Sequence, residues 1–248
     1  MRYLFVAPHY DDVALSCGGA VATLAPPDDV WVVTVFGGVP DGALSRFARE
    51  MHASWGVSGT EAVAERRRED RCAQAALGPV QTAYLGFLDA IYRDHGYDSD
   101  GALFGAVLPG DRAVVGEIAE QLREFNADEY YVPLGIGNHV DHQLVHLAGR
   151  RLAGAGFTVW AYADLPYALV EATYGVKQPV AAGADTRLIA FSAEAFERKW
   201  AAISCYASQL PVIFRDMADP GAAFERYHRE IGSGQLAELV WRVEGARP

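Results

Sequence analysis

The chain has 248 residues, of which 51% are hydrophobic and 21% charged, and it carries a formal net charge of −11. Such a composition is typical of a globular protein, and the length allows a large core. The negative charge argues against nucleic acids and anionic membranes as partners, since both bind basic surfaces. No window approaches the ~20 apolar residues of a membrane span, so no membrane insertion is expected.

The cysteine pattern bears on the compartment. Cys17, Cys72 and Cys205 are widely spaced and form no C-x-x-C pair. We therefore expect buried free thiols and a reducing compartment rather than a disulfide framework. The sequence shows no signal-peptide pattern, so a cytoplasmic protein is expected.

Strands and helices are predicted to alternate along most of the chain. Runs of β-branched and aromatic residues predict strands over 2–7, 29–36, 80–87, 129–134 and 157–162. Helices are predicted from about residue 17 and over 47–55, 60–77, 111–125, 139–153, 193–206 and 224–231. This alternation predicts a Rossmann-like α/β fold, with a mostly parallel sheet covered by helices on both faces and a less regular C-terminal third. One domain over residues 1–248 is the simplest organisation.

The first polar cluster follows the first predicted strand directly and contains His9, Asp11 and Asp12. Ligands of open α/β sheets bind beyond the carboxyl ends of strands, which is where this cluster falls. Two adjacent carboxylates repel each other unless one is protonated or a cation binds between them. Imidazole with carboxylate is a ligand set that zinc accepts. The alternative is an ordinary turn in which these side chains cap the next helix.

The second polar cluster follows the strand that ends at Leu134. His139 and His142 are three residues apart at the start of a predicted helix, and Asp141 between them can orient a histidine through its ring N–H. The first and fourth strands can be neighbours in a doubly wound sheet, because the chain reverses direction there. The crevice between them would then collect both clusters, and we expect a metal-dependent hydrolase site.

Both clusters resemble those of the LmbE-like family of zinc-dependent N-deacetylases, also called the PIG-L family. The resemblance spans about residues 2–209 and rests on four sets of motifs: Pro8-His9-Tyr10-Asp11-Asp12 with His139-Val140-Asp141-His142, Arg66-x-x-Glu69 with Ala73 and Leu77-Gly78, Leu85-Gly86-Phe87-Leu88-Asp89, and Lys199-x-x-Ala202 with Tyr206-x-Ser208-Gln209. The family pattern at the first motif is His-Pro-Asp-Asp-Glu. Here Tyr10 replaces the proline and Val13 replaces the glutamate.

The resemblance implies roles for the two clusters. His9, Asp12 and His142 would bind Zn²⁺, although Fe²⁺ or Co²⁺ accepts the same ligands. Asp11 would be the general base that takes a proton from the zinc-activated water. A protonated His139 would support the tetrahedral intermediate formed on an acetamide. Either of these two groups could protonate the leaving amine, and the sequence does not choose between them.

The resemblance also implies a substrate and the residues that contact it. Arg66 and Asp89 would bind an N-acetylglucosamine-type sugar or glycoside, with a surface arginine and a turn cap as the alternatives. Asp164 is a further candidate for the same crevice. The reaction would remove the acetyl group, and the alternatives are an amidase for a larger sugar-linked amide, a non-catalytic sugar- or nucleotide-binding module, and a two-metal phosphoesterase. A homo-oligomer is compatible with the sequence, and the loops 37–62 and 89–110 are expected to set substrate choice.

Overall fold

The computed structural model describes residues 1–59, 61–93, 96–169 and 185–245. Several sequence predictions fall partly outside those ranges. Residue 60 belongs to the predicted helix 60–77 and to the loop 37–62, residues 94 and 95 belong to the loop 89–110, and residues 170–184 and 246–248 belong to the irregular C-terminal third.

Within the described residues, one sheet of seven strands has the order β3-β2-β1-β4-β5-β7-β6. The strands are β1 (Arg2–Ala7), β2 (Asp29–Thr34), β3 (Gln81–Tyr84), β4 (Glu129–Pro133), β5 (Val159–Tyr162), β6 (Thr186–Ala190) and β7 (Ala237–Arg242). Strands β1 to β5 run parallel to one another, and β7 is antiparallel to its neighbours β5 and β6. The predicted fold class is confirmed. The predicted neighbours β1 and β4 do pair, from Tyr3 beside Glu129 to Phe5 beside Tyr131.

Helices cover both faces of this sheet. In the described part of the chain they are α1 (Asp12–Leu24), α2 (Arg46–Ser54), α3 (Glu61–Leu77), α4 (Asp100–Leu103), α5 (Val114–Arg123), α6 (Val140–Gly154), α7 (Ala193–Ser204), α8 (Leu210–Ile213) and α9 (Pro220–Ile231). Alternate β1 side chains point to opposite faces. Phe5 and Ala7 join a core with α1, α3, α7 and α9, whereas Leu4 and Val6 join one with α2, α5 and α6. None of these helices is long and apolar enough to cross a membrane.

The sequence prediction missed the antiparallel edge of the sheet. Strand β6 alternates exposed and half-buried positions, and β7 contains the buried acid Glu238, so neither has a continuous apolar run. Helix α1 also begins earlier than predicted, at Asp12 rather than Cys17. That difference matters for function, because it places one predicted ligand in the first turn of a helix.

The cysteine prediction was wrong in part. Cys72 in α3 and Cys205 just after α7 form a disulfide, with their Cα atoms 5.8 Å apart. Cys17 is free and buried, as expected. Packing of α3 against α7 brings together two cysteines that are 133 residues apart, and the spacing of cysteines in the sequence does not reveal such a contact.

Helix α1 approaches α7 closely enough to enclose an ion pair. A Cβ at Gly18 would lie 2.7 Å from Cγ of Lys199, so only glycine leaves room for that side chain. Lys199 is fully buried and donates to Glu238 Oε1 at 2.7 Å. The same carboxylate accepts the backbone N–H groups of Gly19 and Ala20 at 3.0 and 2.8 Å. Glu238 therefore links α1, α7 and β7.

Replacing Glu238 by alanine is expected to lower the free energy of unfolding by about 3–5 kcal/mol, because it leaves a buried lysine without its counter-charge. Urea denaturation monitored by circular dichroism measures this change. Glu194→Ala is the matched control, since Glu194 pairs with Arg198 on the surface of the same α7 and such pairs contribute less than about 1 kcal/mol. Equal losses in the two variants would contradict the prediction.

Candidate metal centre and active site

The two polar clusters meet at the carboxyl ends of β1 and β4. His9 and Asp11 lie in the turn between β1 and α1, and Asp12 is the first residue of α1. His139 is the N-cap of α6, which follows β4, and His142 lies in its first turn. Because β1 and β4 are parallel neighbours, the turns lie side by side, and the ring centroids of His9 and His139 are 4.9 Å apart.

Asp12 is the point on which two of the histidines converge. Its Oδ2 lies 3.4 Å from Nδ1 of His9, and its Oδ1 lies 3.4 Å from Nε2 of His142. Ligands of a tetrahedral zinc with bonds of 2.0–2.1 Å are themselves about 3.3–3.4 Å apart. Each of the two histidine nitrogens therefore lies at the separation of two zinc ligands from one oxygen of Asp12, with a different oxygen for each histidine.

Each of these two histidines is held by a second carboxylate at its other nitrogen. Nε2 of His9 is 2.9 Å from Asp141 Oδ2, and Nδ1 of His142 is 2.6 Å from Asp164 Oδ1. A ring that donates its N–H to a carboxylate presents a lone pair on the opposite nitrogen, which is the usual arrangement behind metal-binding histidines. Both lone pairs then face Asp12, and the residues fit a divalent cation.

The electrostatics of the cluster also favour a bound cation. Burial opposes protonation of His9, but Asp89, Asp12 and Asp141 together raise its pKa well above the ordinary value. Burial likewise opposes protonation of His142, and Asp12 and Asp164 nevertheless raise its pKa. Burial alone would raise the pKa of Asp12, yet His142 and His9 hold it below the ordinary range. The surrounding carboxylates therefore stabilise positive charge at the position of the two histidines.

His139 differs from the other two histidines in its hydrogen bonding. Its Nδ1 accepts the backbone N–H of Asp141 at 3.2 Å, so the proton of the neutral ring lies on Nε2. Burial, with the charge of His9, lowers its pKa to about 3. His139 is therefore neutral at neutral pH, contrary to the protonated form expected from the sequence. It can donate a hydrogen bond into the site, whereas His9 and His142 offer lone pairs.

Asp11 is buried beside Asp12 but faces a different partner. Its Oδ1 is 3.4 Å from Nη2 of Arg66, and Nη1 of the same guanidinium is 3.6 Å from Asp89 Oδ2. Burial raises the pKa of Asp11, although the positive charge of Arg66 acts to lower it. Asp89 also lies 3.6 Å from Nε2 of His9. The residues predicted for substrate contact therefore adjoin both the predicted base and the histidine cluster.

Arg66 is buried, so it is not the surface arginine that the sequence left open as an alternative. Its guanidinium carbon lies 5.0 Å from the ring centroid of Trp55 and 5.2 Å from that of Tyr10. The Tyr10 hydroxyl donates to Gly37 O at 2.9 Å, which fixes the ring against the end of β2. The tyrosine that replaces the family's proline thus forms one side of the space around Arg66.

Sequence reasoning missed Arg93. Its guanidinium donates to Asp141 Oδ1 at 2.7 Å, to Asp111 Oδ2 at 3.0 Å and to the carbonyl of Leu88 at 2.9 Å. Burial raises the pKa of Asp141, but Arg93 and then His9 hold it below the ordinary value, so this carboxylate stays ionised behind His9. No local pattern marks Arg93, because it lies in the loop after β3 and its partners are distant in sequence.

Two aromatic residues beside the cluster were also missed. The ring of Tyr167 lies 5.9 Å from that of His142 and 5.8 Å from that of Phe104, and Phe104 lies 5.3 Å from His139. Gly137 makes this packing possible: its φ is +83°, and a Cβ there would lie 2.5 Å from Cγ of Tyr167. These rings form one wall beside the two histidines of α6.

Two further groups of side chains in the site bring three ligand atoms close together. Ligand atoms of His9, His139 and His142 lie within 4.8 Å of one another, as do those of His9, Asp89 and Asp141. The first would need a lone pair on Nε2 of His139, which carries the proton. The second uses carboxylates that Arg66 and Arg93 already neutralise. Neither group contains Asp12, whose carboxylate contacts both His9 and His142.

Comparison with known proteins shows which family this chain resembles. The model of a family described as PIG-L, GlcNAc-PI de-N-acetylase, matches residues 4–153. A 2'-N-acetylparomamine deacetylase from Streptomyces fradiae is 40% identical over 172 residues, which are 67% of this chain and 58% of that protein. A 2'-N-acetylparomamine deacetylase from Niallia circulans is 33% identical over 184 residues, 66% of this chain and 67% of that protein. The crystal structure of the zinc-inhibited form of teicoplanin deacetylase Orf2 superposes with a TM-score of 0.83, at 27% identity, over 98% of this chain and 97% of that one.

Proposed function

The chain belongs to the PIG-L family, and we propose that it is a zinc-dependent deacetylase that hydrolyses the acetamide of an N-acetylglucosamine-type sugar. The observation that carries the proposal is the arrangement around Asp12, where two carboxylate-backed histidines present lone pairs to the same carboxylate and Asp11 adjoins them. The relatives named as deacetylases of N-acetylated paromamine and of teicoplanin support the same chemistry.

The metal would be held by Nδ1 of His9, the carboxylate of Asp12 and Nε2 of His142. When bound, a divalent ion lowers the pKa of a water from 15.7 towards about 7 and polarises a carbonyl oxygen. Asp141 and Asp164 keep the two rings in the tautomers that bind. Fe²⁺ or Co²⁺ would accept these ligands as well.

Asp11 is the group best suited to take the proton of the attacking water. It is buried, its pKa is raised by that burial, and it is held apart from the histidines by its contact with Arg66. A carboxylate with a raised pKa accepts a proton more readily near neutral pH and can return it to the leaving amine. The alternative acid, His139, is neutral with a pKa of about 3 and is less suited to that second transfer.

His139 would stabilise the charge that develops on the amide oxygen. Its Nε2–H is preorganised, because Nδ1 is fixed by the backbone N–H of Asp141. A neutral donor fixed in a buried site can stabilise an oxyanion without the protonation that the sequence led us to expect. Arg66 and Asp89 are next to the base, where they would bind sugar hydroxyls or the departing acetate.

Metal analysis combined with an acetate-release screen tests the proposal. The screen covers N-acetylglucosamine, its glycosides and N-acetylated aminoglycoside fragments, the last because relatives are named for such a substrate. We expect one zinc per chain, acetate release from at least one sugar, loss of release after chelation and recovery on adding Zn²⁺. Release that survives complete removal of metal would refute the metal-dependent reaction, and no release from any N-acetylated sugar would refute the substrate class.

A further inference from the structure

An exposed aromatic ring stands beside the proposed catalytic histidine. Phe104 is 38% exposed, although most large apolar side chains in the described residues are buried. Its ring lies 5.3 Å from that of His139 with the planes at 83°, and 5.8 Å from that of Tyr167 at 69°. Ligand sites are lined mainly by apolar and aromatic side chains around a few polar groups, and Phe104 has this position beside His139.

The backbone that carries Phe104 is fixed to the same turn that carries His139. Nδ2 of Asn138 donates to the carbonyl of Phe104 at 2.9 Å and to that of Gly105 at 2.8 Å. Nε2 of Gln143, in the first turn of α6, donates to Gly105 O at 2.8 Å. Asn138 has a φ of +63° and directly precedes His139. The position of the ring is therefore tied to that of the catalytic imidazole.

We propose that Phe104 is the stacking platform for the pyranose ring of the acetylated sugar, and this inference rests on the proposed function for the identity of the ligand. An aromatic face carries partial negative charge and attracts the C–H groups of a sugar ring, while it also buries apolar area. A sugar that lies against this ring would place its acetamide towards His139 and the metal ligands. The platform makes Phe104 a determinant of substrate choice in the loop 89–110.

Truncating this ring should weaken sugar binding without slowing the chemical step. Phe104→Ala is expected to raise KM and the Kd for sugar by about tenfold, which corresponds to one lost aromatic contact. The value of kcat should be unchanged, since the ring contacts ground state and transition state alike. Phe104→Tyr keeps the aromatic face and is expected to bind as the original chain does.

The test uses the zinc-loaded protein and two independent measurements. Titration calorimetry with methyl glucosaminide, a sugar that carries no acetyl group to hydrolyse, gives Kd, and acetate release from N-acetylglucosamine gives kcat and KM. Leu188→Ala is the matched control, because Leu188 is 54% exposed on the edge strand β6. Binding by Phe104→Ala that equals binding by the original chain overturns the platform, and so does failure of the original chain to bind the sugar. Sugar binding that depends on Phe104, without acetate release from any N-acetylated sugar of the screen, supports the platform and refutes the proposed function.

A double-mutant cycle tests whether the hydrogen bonds of Asn138 to the Phe104 loop hold the ring in place; these bonds are called the tether below. Asn138→Gly keeps the left-handed backbone and removes both side-chain hydrogen bonds to the Phe104 loop. We expect it to raise the Kd for methyl glucosaminide in the original background and to add nothing in the Phe104→Ala background, because both changes then act on one contact. Additive effects would contradict the tether, and an unchanged kcat distinguishes this role from disturbance of His139.

Discussion

Replacing Asp11 by asparagine is expected to lower acetate release by about 10²–10⁴-fold while the bound metal remains. Asparagine keeps the shape of the side chain but cannot accept the proton of the attacking water. The metal should stay because Asp11 contacts Arg66, whereas the histidine nitrogens face Asp12. Acetate release and zinc content, measured on the same preparation, check both halves of this expectation.

The control for this variant is Asp41→Asn, which removes the charge of an exposed aspartate after β2. We expect the rate to be unchanged there, which separates the loss of the base from a change in net charge. An Asp11→Asn variant with full activity would show that another group takes the proton. A variant that loses its zinc would instead show that Asp11 is a ligand.

The sequence predicted the location of the site correctly, because that prediction requires only that the two strands be parallel neighbours. Once β1 and β4 are parallel neighbours, the residues after them must meet at one edge of the sheet. His9 and Asp12 after β1 and His142 after β4 were therefore brought together, as expected. Their roles as ligands remain a prediction, since the contacts test position and not chemistry.

The supporting contacts could not be predicted in the same way. Arg93 reaches Asp141 across 48 residues, and the disulfide joins positions 133 residues apart. Such contacts depend on how loops and helices pack, and the local pattern of apolar and polar residues does not reveal them. Asp164 was a candidate for the crevice, but its carboxylate also accepts the N–H groups of Gly135 and Ile136. This second function fixes the glycine turn before α6, and only the three-dimensional structure reveals it.

Packing also explains why this chain can have Tyr10 where the family motif has proline. The buried ring lies against Arg66, and its hydroxyl is shared with Arg67, whose Nε donates to it at 3.2 Å. Arg67 is therefore half-buried. A proline would stiffen the turn, whereas here the side chain of Tyr10 anchors the turn to β2 and α3.

Replacing Asp12 by alanine is expected to weaken zinc binding by more than about 100-fold and to remove activity, whereas His139→Asn should retain zinc and lose activity. The distinction follows from hydrogen bonding, since Nε2 of His139 carries a proton and Asp12 faces both lone pairs. Asparagine is a good N-cap, so this substitution removes the Nε2–H group without removing the cap of α6. Competition with a fluorescent zinc chelator gives the dissociation constants.

Asp164→Asn provides the intermediate case. It leaves all three proposed ligands in place but weakens the contact that holds His142 in its binding tautomer, and changes of this kind typically cost 10–100-fold in metal affinity. The expected order of zinc affinity is therefore the original chain and His139→Asn together, then Asp164→Asn, then Asp12→Ala. If His139→Asn instead lost zinc as completely as Asp12→Ala, the three histidines would be the ligand set, and the proton assigned to Nε2 would have to lie elsewhere.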